Sequence, residues 1–380
     1  MAFRLALSVA AGAASVFPSF LVGALALQIR GDLDVGVEAV AAGVTVFFVA
    51  GALTTSSGGR LADHIGAVRA IRGSVFVTAT ALVAAALAPS LAVLFLALAV
   101  AGIANGVAQP AINLFVSEEI PADRQGLGFG VKQSGIPAAI LMSGLALPVL
   151  ALPLGWRVTL ALCALAPFGV GLALPREQGA HVSRRPASRR PSRALVLTAV
   201  GAALGTAGPS ALGAYLVASA VHVGIGEGTA GLLAALASGL SLATRVTLGA
   251  RADRRHDYGL TVVVLLLVGG SVGFALMASN TIAVFVIGSL VAFTLGWGWP
   301  GLFNLAVVSS NRETPASATG ISQTGIYAGA AGGPAAFGLL AAGPGYGVAC
   351  AASAVTALLA AGVLWLARRE TAAVAAASRV

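Results

Sequence analysis

Charge is scarce in this sequence. Only 9% of its 380 residues are Asp, Glu, Lys or Arg, against roughly a quarter in an ordinary soluble domain. So few charged groups cannot cover a water-facing surface, which excludes a soluble globular protein. Cysteine is also rare. Cys163 and Cys350 both lie inside apolar runs, so neither a disulfide framework nor a thiolate metal site follows. There are four histidines, and His64, His181 and His256 fall in charged loops, so no metal is expected. A Walker sequence is missing. The glycine patterns at 126–130 and 224–228 do not stand between a soluble strand and a helix, so no nucleotide cofactor is expected either. No cluster of His, Asp or Glu, and no Ser with a base, sits in an apolar run, which argues against an enzyme.

What is abundant is apolar: 58% of residues are hydrophobic and the mean hydropathy is +0.95. A helix needs roughly 20 apolar residues to cross the hydrocarbon core. Stretches free of charge run 5–29, 39–59, 73–117, 133–156, 158–175, 194–226, 228–244, 258–311 and 314–367. Three are too long for one span, and each holds a turn signal near its middle: Pro89-Ser90, Ser279-Asn280 and Gly343-Pro344-Gly345. Dividing them gives twelve spans. The first run is too long for a signal-peptide core and reads as the first membrane helix.

Lys and Arg set the orientation. With twelve spans both termini share one side, and every Lys and Arg except Arg30 and Arg157 falls there. That places both termini in the cytoplasm of a multi-pass protein of the bacterial cytoplasmic membrane. The net charge of +9 is thereby explained without nucleic acid. The densest cluster, Arg176 to Arg193, reads as a flexible basic linker that can also meet anionic lipid headgroups.

The chain repeats itself at an offset of half its length. Gly59, Ala62 and Asp63 fall on Gly249, Ala252 and Asp253; Gly106 and Pro110 fall on Gly296 and Pro300; Gln133 and Gly135 fall on Gln323 and Gly325. Matches at Asp, Gln and Pro are not what shared Leu and Ala content produces. The pattern is a duplicated six-helix unit in parallel orientation, with residues 1–175 and 194–380 as the two bundles and 176–193 as the linker.

The loop after span 2 reads Gly59-Arg60-Leu61-Ala62-Asp63-His64-Ile65-Gly66-Ala67-Val68-Arg69, with a second copy, Gly249-Ala250-Arg251-Ala252-Asp253-Arg254, after span 8. With the twelve spans and the repeat, this resembles the signature loop of the major facilitator superfamily, G-x-L-a-D-r-x-G-r-k. The resemblance implies an all-α membrane protein of two pseudo-symmetric six-helix bundles that work by alternating access. It also implies that the two loops close the cytoplasmic side. His64 and Ala67 stand where the family often has Arg, which leaves Arg60, Arg69 and Arg72 as substitutes. Relatives act mostly as monomers. The resemblance assigns the central cavity mainly to spans 1, 4, 7 and 10.

Polar residues inside spans tend to face the bundle interior. Asn105, Gln109 and Asn113 recur every four residues on span 4, on one helical face. Ser8, Ser15 and Ser19 do so on span 1, Tyr215, Ser219 and His222 on span 7, and Trp297, Gly301 and Asn304 on span 10. Lys132, beside Gln133, lies about one turn inside span 5, and Arg245 lies near the cytoplasmic end of span 8. Either they snorkel to the interface or they attract an anion, with Gln133 and Gln323 adding hydrogen bonds. No Asp or Glu lies deep in a span, and the Gly-Pro-rich antiporter motif of proton-coupled drug exporters is missing from span 5. The expected function is therefore carriage of a small organic solute, with an anionic one favoured. Drug or metabolite efflux by proton antiport is the alternative.

Overall fold

The computed structural model describes residues 1–35, 37–175, 191–254 and 259–377. The densest part of the basic linker, together with His181, Arg255 and His256, lies outside them. The described chain is helical: α1 (Ala2–Ala24), α2 (Ala26–Leu33), α3 (Val37–Ile65), α4 (Ala67–Ala86), α5 (Leu91–Glu119), α6 (Gln125–Lys132), α7 (Gly135–Ala146), α8 (Leu152–Leu154), α9 (Trp156–Cys163) and α10 (Leu165–Ala173). Then follow α11 (Arg193–His222), α12 (Glu227–Ala252), α13 (Leu260–Met277), α14 (Ile282–Gly296), α15 (Pro300–Ser310), α16 (Pro315–Ala342) and α17 (Tyr346–Ala377). Among the described residues, 11 helical stretches are long and apolar enough to cross a membrane, and the shorter apolar stretch Ala138–Leu154 takes the fifth place. In hydrocarbon every backbone N–H needs an internal partner, which is why apolar runs of this length become helices.

Polarity is inverted relative to a soluble protein. Leu53, Leu96, Leu141, Leu232 and Leu339 are exposed, while Thr55, Asn105, Gln109, Asn113, Lys132, Arg245 and Asn304 are buried. Lipid is the solvent for the first set, and protein encloses the second.

Two compact units result. The first holds the described residues of Met1–Ala122, Val131–Ala187 and Asn311–Gly320; the second holds those of Asp123–Gly130, Ser188–Ser310 and Ile321–Val380. Each unit thus contains one short segment from the other half of the sequence. The first unit has an apolar core around Phe17, Leu21, Phe47, Leu82, Leu98 and Trp156. The second has one around Leu212, Phe274, Phe285, Phe293 and Phe337.

Helices approach closely where side chains are smallest. A Cβ on Gly102 of α5 would meet the Phe47 carbonyl of α3. In the second unit, Gly273 of α13 packs on Ala292 of α14 in the same way. Dispersion contacts between backbones replace the hydrophobic drive that lipid does not supply.

The breaks in spans 5 and 10 bear on the candidate residues. Span 5 extends below the charge-free stretch, because α6 begins at Gln125, and it is interrupted between Lys132 and Gly135. Pro137 has no N–H to return to the Gln133 carbonyl, which weakens the ladder there. Span 10 ends one helix at Gly296 and starts another at Pro300. The expected single face for Trp297, Gly301 and Asn304 is therefore corrected: Trp297 caps α14, and Gly301 and Asn304 belong to α15. Its repeat partner Pro110 stays inside continuous α5. The difference is local. Pro300 follows Gly298, whose backbone freedom lets the chain leave the helix before a residue suited to open the next one.

Candidate functional site

In the first unit a polar line runs from α1 to α6. Lys132 Nζ donates to Gln109 Oε1 at 2.8 Å. Gln109 Nε2 donates to Ser15 Oγ at 2.9 Å, and Ser15 Oγ donates to the Gly12 carbonyl at 2.9 Å. Lys132 is 4% exposed, and Gln109 and Gln133 are also buried. The ammonium can donate three hydrogen bonds, and the Gln109 oxygen is its one acceptor among the described residues. No carboxylate pairs with it there. Asn105 and Asn113 are both buried on the same helix. The carboxamide of Asn113 has no partner for either of its polar atoms among the described residues.

Arg245 of α12 is the buried cation of the second unit. It is 6% exposed. Its Nε donates to the Trp297 carbonyl at 3.0 Å, an acceptor that the break in span 10 leaves outside the helical ladder. Its guanidinium carbon lies 5.6 Å from the centroid of the Trp297 ring, within cation–π range. Neither Nη nitrogen has an acceptor among the described residues. Arg245 is thus an anchored guanidinium whose Nη fork is uncommitted. Asn304 is 1% exposed with both amide atoms unpartnered among the described residues. Gln323 is buried. Tyr215 is half-buried and stacked on Phe337 at 5.3 Å. His222 is exposed and lies 4.9 Å from the Tyr346 ring.

The two signature loops do matching work. Asp63 is buried and accepts from Ala316 N at 3.0 Å and Ser317 N at 2.7 Å, and from Ser317 Oγ. Asp253 accepts from Gly126 N at 2.6 Å and Leu127 N at 2.9 Å. Residues 126 and 127 are the repeat partners of 316 and 317, so one interaction occurs twice. Each carboxylate caps free N–H groups in the first turn of a helix, α16 or α6. The glycines are there for access: a Cβ on Gly59 would strike the Ala316 carbonyl, and one on Gly249 the Gly126 carbonyl. Gly66 caps α4 at φ 92°, in the region favouring glycine. Burial raises the Asp253 carboxyl above its ordinary range, opposed by the Leu127 and Gly126 amides.

The arginines do other things. Arg60 is exposed and bonds Ser56 Oγ at 3.3 Å. Arg72 donates to the carbonyls of Gly171, Leu174 and Pro175 and closes the end of α10. Arg69 and Arg254 are exposed. Ser317, Gly126 and Leu127 had no place among the sequence candidates. The half-length offset carries either pair of contacts onto the other once one of them is known.

The family model of the Major Facilitator Superfamily matches residues 7–206, more than half of the chain. The chain belongs to the major facilitator superfamily. It is a multi-pass membrane transporter of the secondary type. Solved superfamily structures share its twelve-helix fold. The proton:xylose symporter XylE bound to 6-bromo-6-deoxy-D-glucose is 12% identical, with 96% of this chain and 94% of that one covered at a TM-score of 0.76. FucP in the outward conformation is 14% identical, with 97% and 98% covered at a TM-score of 0.74. Among curated proteins none matches. The superfamily transporter therefore shows its fold in these likenesses, and its solute has to be read from its own side chains.

Proposed function

We propose that this transporter carries a small organic anion across the bacterial cytoplasmic membrane by alternating access, as a monomer with both termini in the cytoplasm. The observation that carries the reading is Arg245. A buried guanidinium is costly unless its donors are satisfied. Here one N–H is spent on orientation, while the Nη fork keeps the geometry that grips a carboxylate bidentately. Lys132 offers an ammonium in the first unit, and Asn113 and Asn304 offer neutral donors and acceptors. The Asp63 and Asp253 caps tie helix starts to the signature loops of the opposite sequence half. Their release accompanies opening to the cytoplasm.

A thermal-shift screen of the detergent-purified protein against organic anions, sugars, amino acids and lipophilic cations tests this. A ligand at one hundred times its Kd stabilises the native state by about 2.7 kcal/mol. Carboxylates are expected to raise the melting temperature, and Arg245→Gln to abolish the rise. A shift produced only by lipophilic cations, and kept by Arg245→Gln, would replace this reading with efflux.

A further inference from the structure

We infer that Lys132 is the proton-carrying group of this transporter, taking up one proton from solution together with each anion and giving both up on the other side. The inference rests on the anion reading and adds the coupling ion to it. Its basis is the setting of the side chain. Lys132 is 96% enclosed, since only 4% is exposed. It sits at the end of α6 with one neutral acceptor, Gln109, itself held by Ser15.

The neighbouring elements bring little compensating charge. The titratable side chains of α1, α5, α6 and α7 are Arg4, Glu118, Glu119 and Lys132 alone. Arg4 Nε pairs with Glu119 at 2.9 Å, and Glu119 stands ten residues from Gln109, about 15 Å along the helix. No carboxylate among the described residues neutralises an ammonium at this position.

An uncompensated buried charge is costly, and a partner of opposite sign removes much of that cost. The amine keeps an N–H for Gln109 whether or not it holds the extra proton, so the network survives both forms. A bound carboxylate supplies the missing negative charge, and the amine nitrogen takes a proton from water to become the ammonium that faces it. Binding of anion and proton then favour each other reciprocally. Arginine cannot replace lysine here, because a guanidinium keeps its proton.

Isothermal titration of the full-length detergent-solubilised protein tests this, with succinate, lactate and benzoate as probes, in Tris and in HEPES at several pH values. For the wild type we expect heats that differ between the buffers by the uptake of up to one proton per anion. We also expect Kd to weaken up to tenfold per pH unit where the amine has lost its proton. Lys132→Arg keeps a fixed charge and is expected to bind with a pH-independent Kd and no proton uptake. Gln109→Leu, which leaves Lys132 in place, is expected to keep the proton uptake and alter the affinity. Anion binding with equal heats in both buffers would overturn proton carriage and leave the anion reading standing. Proton uptake retained in Lys132→Arg would overturn the assignment to Lys132. If none of the anions binds, the anion reading falls and this inference with it.

Discussion

Removing the Asp63 carboxylate should destabilise the protein far more than removing its repeat partner. Asp63 is 7% exposed and holds two backbone amides and a serine hydroxyl. Asp63→Ala leaves all three donors without an acceptor in a site that water barely reaches. Each hydrogen bond to a charged group contributes about 1.5–3 kcal/mol. Donors in one network do not add in full, so the loss should be about 3–5 kcal/mol. Asp253 holds two amides and is only partly buried, so water substitutes for much of the lost interaction. Asp253→Ala should cost about 1–2 kcal/mol. Asp63→Asn keeps the shape but loses the charge and should fall between wild type and Asp63→Ala. The assay is thermal unfolding in one detergent, with a thiol-reactive dye reporting exposure of Cys163 and Cys350. If Asp253→Ala melts at or below the temperature of Asp63→Ala, burial does not govern the strength of these caps and the reasoning fails.

Three further outcomes follow from particular contacts. Gly102→Leu should reduce the folded yield sharply, because a Cβ at that position already meets the Phe47 carbonyl of α3; size-exclusion profiles after extraction would show it. Gly66→Ala should cost about 1–3 kcal/mol, since φ 92° with ψ 152° is strained for any residue with a Cβ, and a normal melting temperature would contradict that conformation. Arg157→Ala should lower the melting temperature more than Asp32→Asn. Arg157 holds Asp32 at 2.9 Å and also the Ala86 and Ala88 carbonyls at 3.1 and 2.7 Å, so Asp32→Asn leaves the latter two bonds in place.

The spans were legible because the bilayer writes length and apolarity directly into the sequence. Pro89-Ser90, Ser279-Asn280 and Gly343-Pro344-Gly345 mark real helix ends: α4 stops at Ala86, α13 at Met277 and α16 at Ala342. The start of span 5 was not legible in the same way. Hydropathy stops at a charge, whereas α6 carries Lys132 into the interior through a hydrogen bond to Gln109 that no local pattern records. The break in span 10 was missed for a related reason. Trp297, Gly298 and Trp299 read as apolar, and only the Gly298–Pro300 spacing hints that the backbone leaves the helix. Asp63 was legible as a capping residue, but its partners lie 253 and 254 positions away. No local pattern records such a distance, and the half-length repeat relates the Asp63 and Asp253 contacts only once one of them is known. The choice between snorkelling and burial for Arg245 also depends on packing, because the same helical position serves both.

Uptake into proteoliposomes tests the central claim most directly. The carboxylate that raises the melting temperature most would be supplied in radiolabelled form, with wild type compared against Arg245→Gln reconstituted at equal density. Accumulation by wild type, reduced at least tenfold in Arg245→Gln, is the result the account predicts; equal uptake by both proteins, or uptake confined to lipophilic cations, would contradict it.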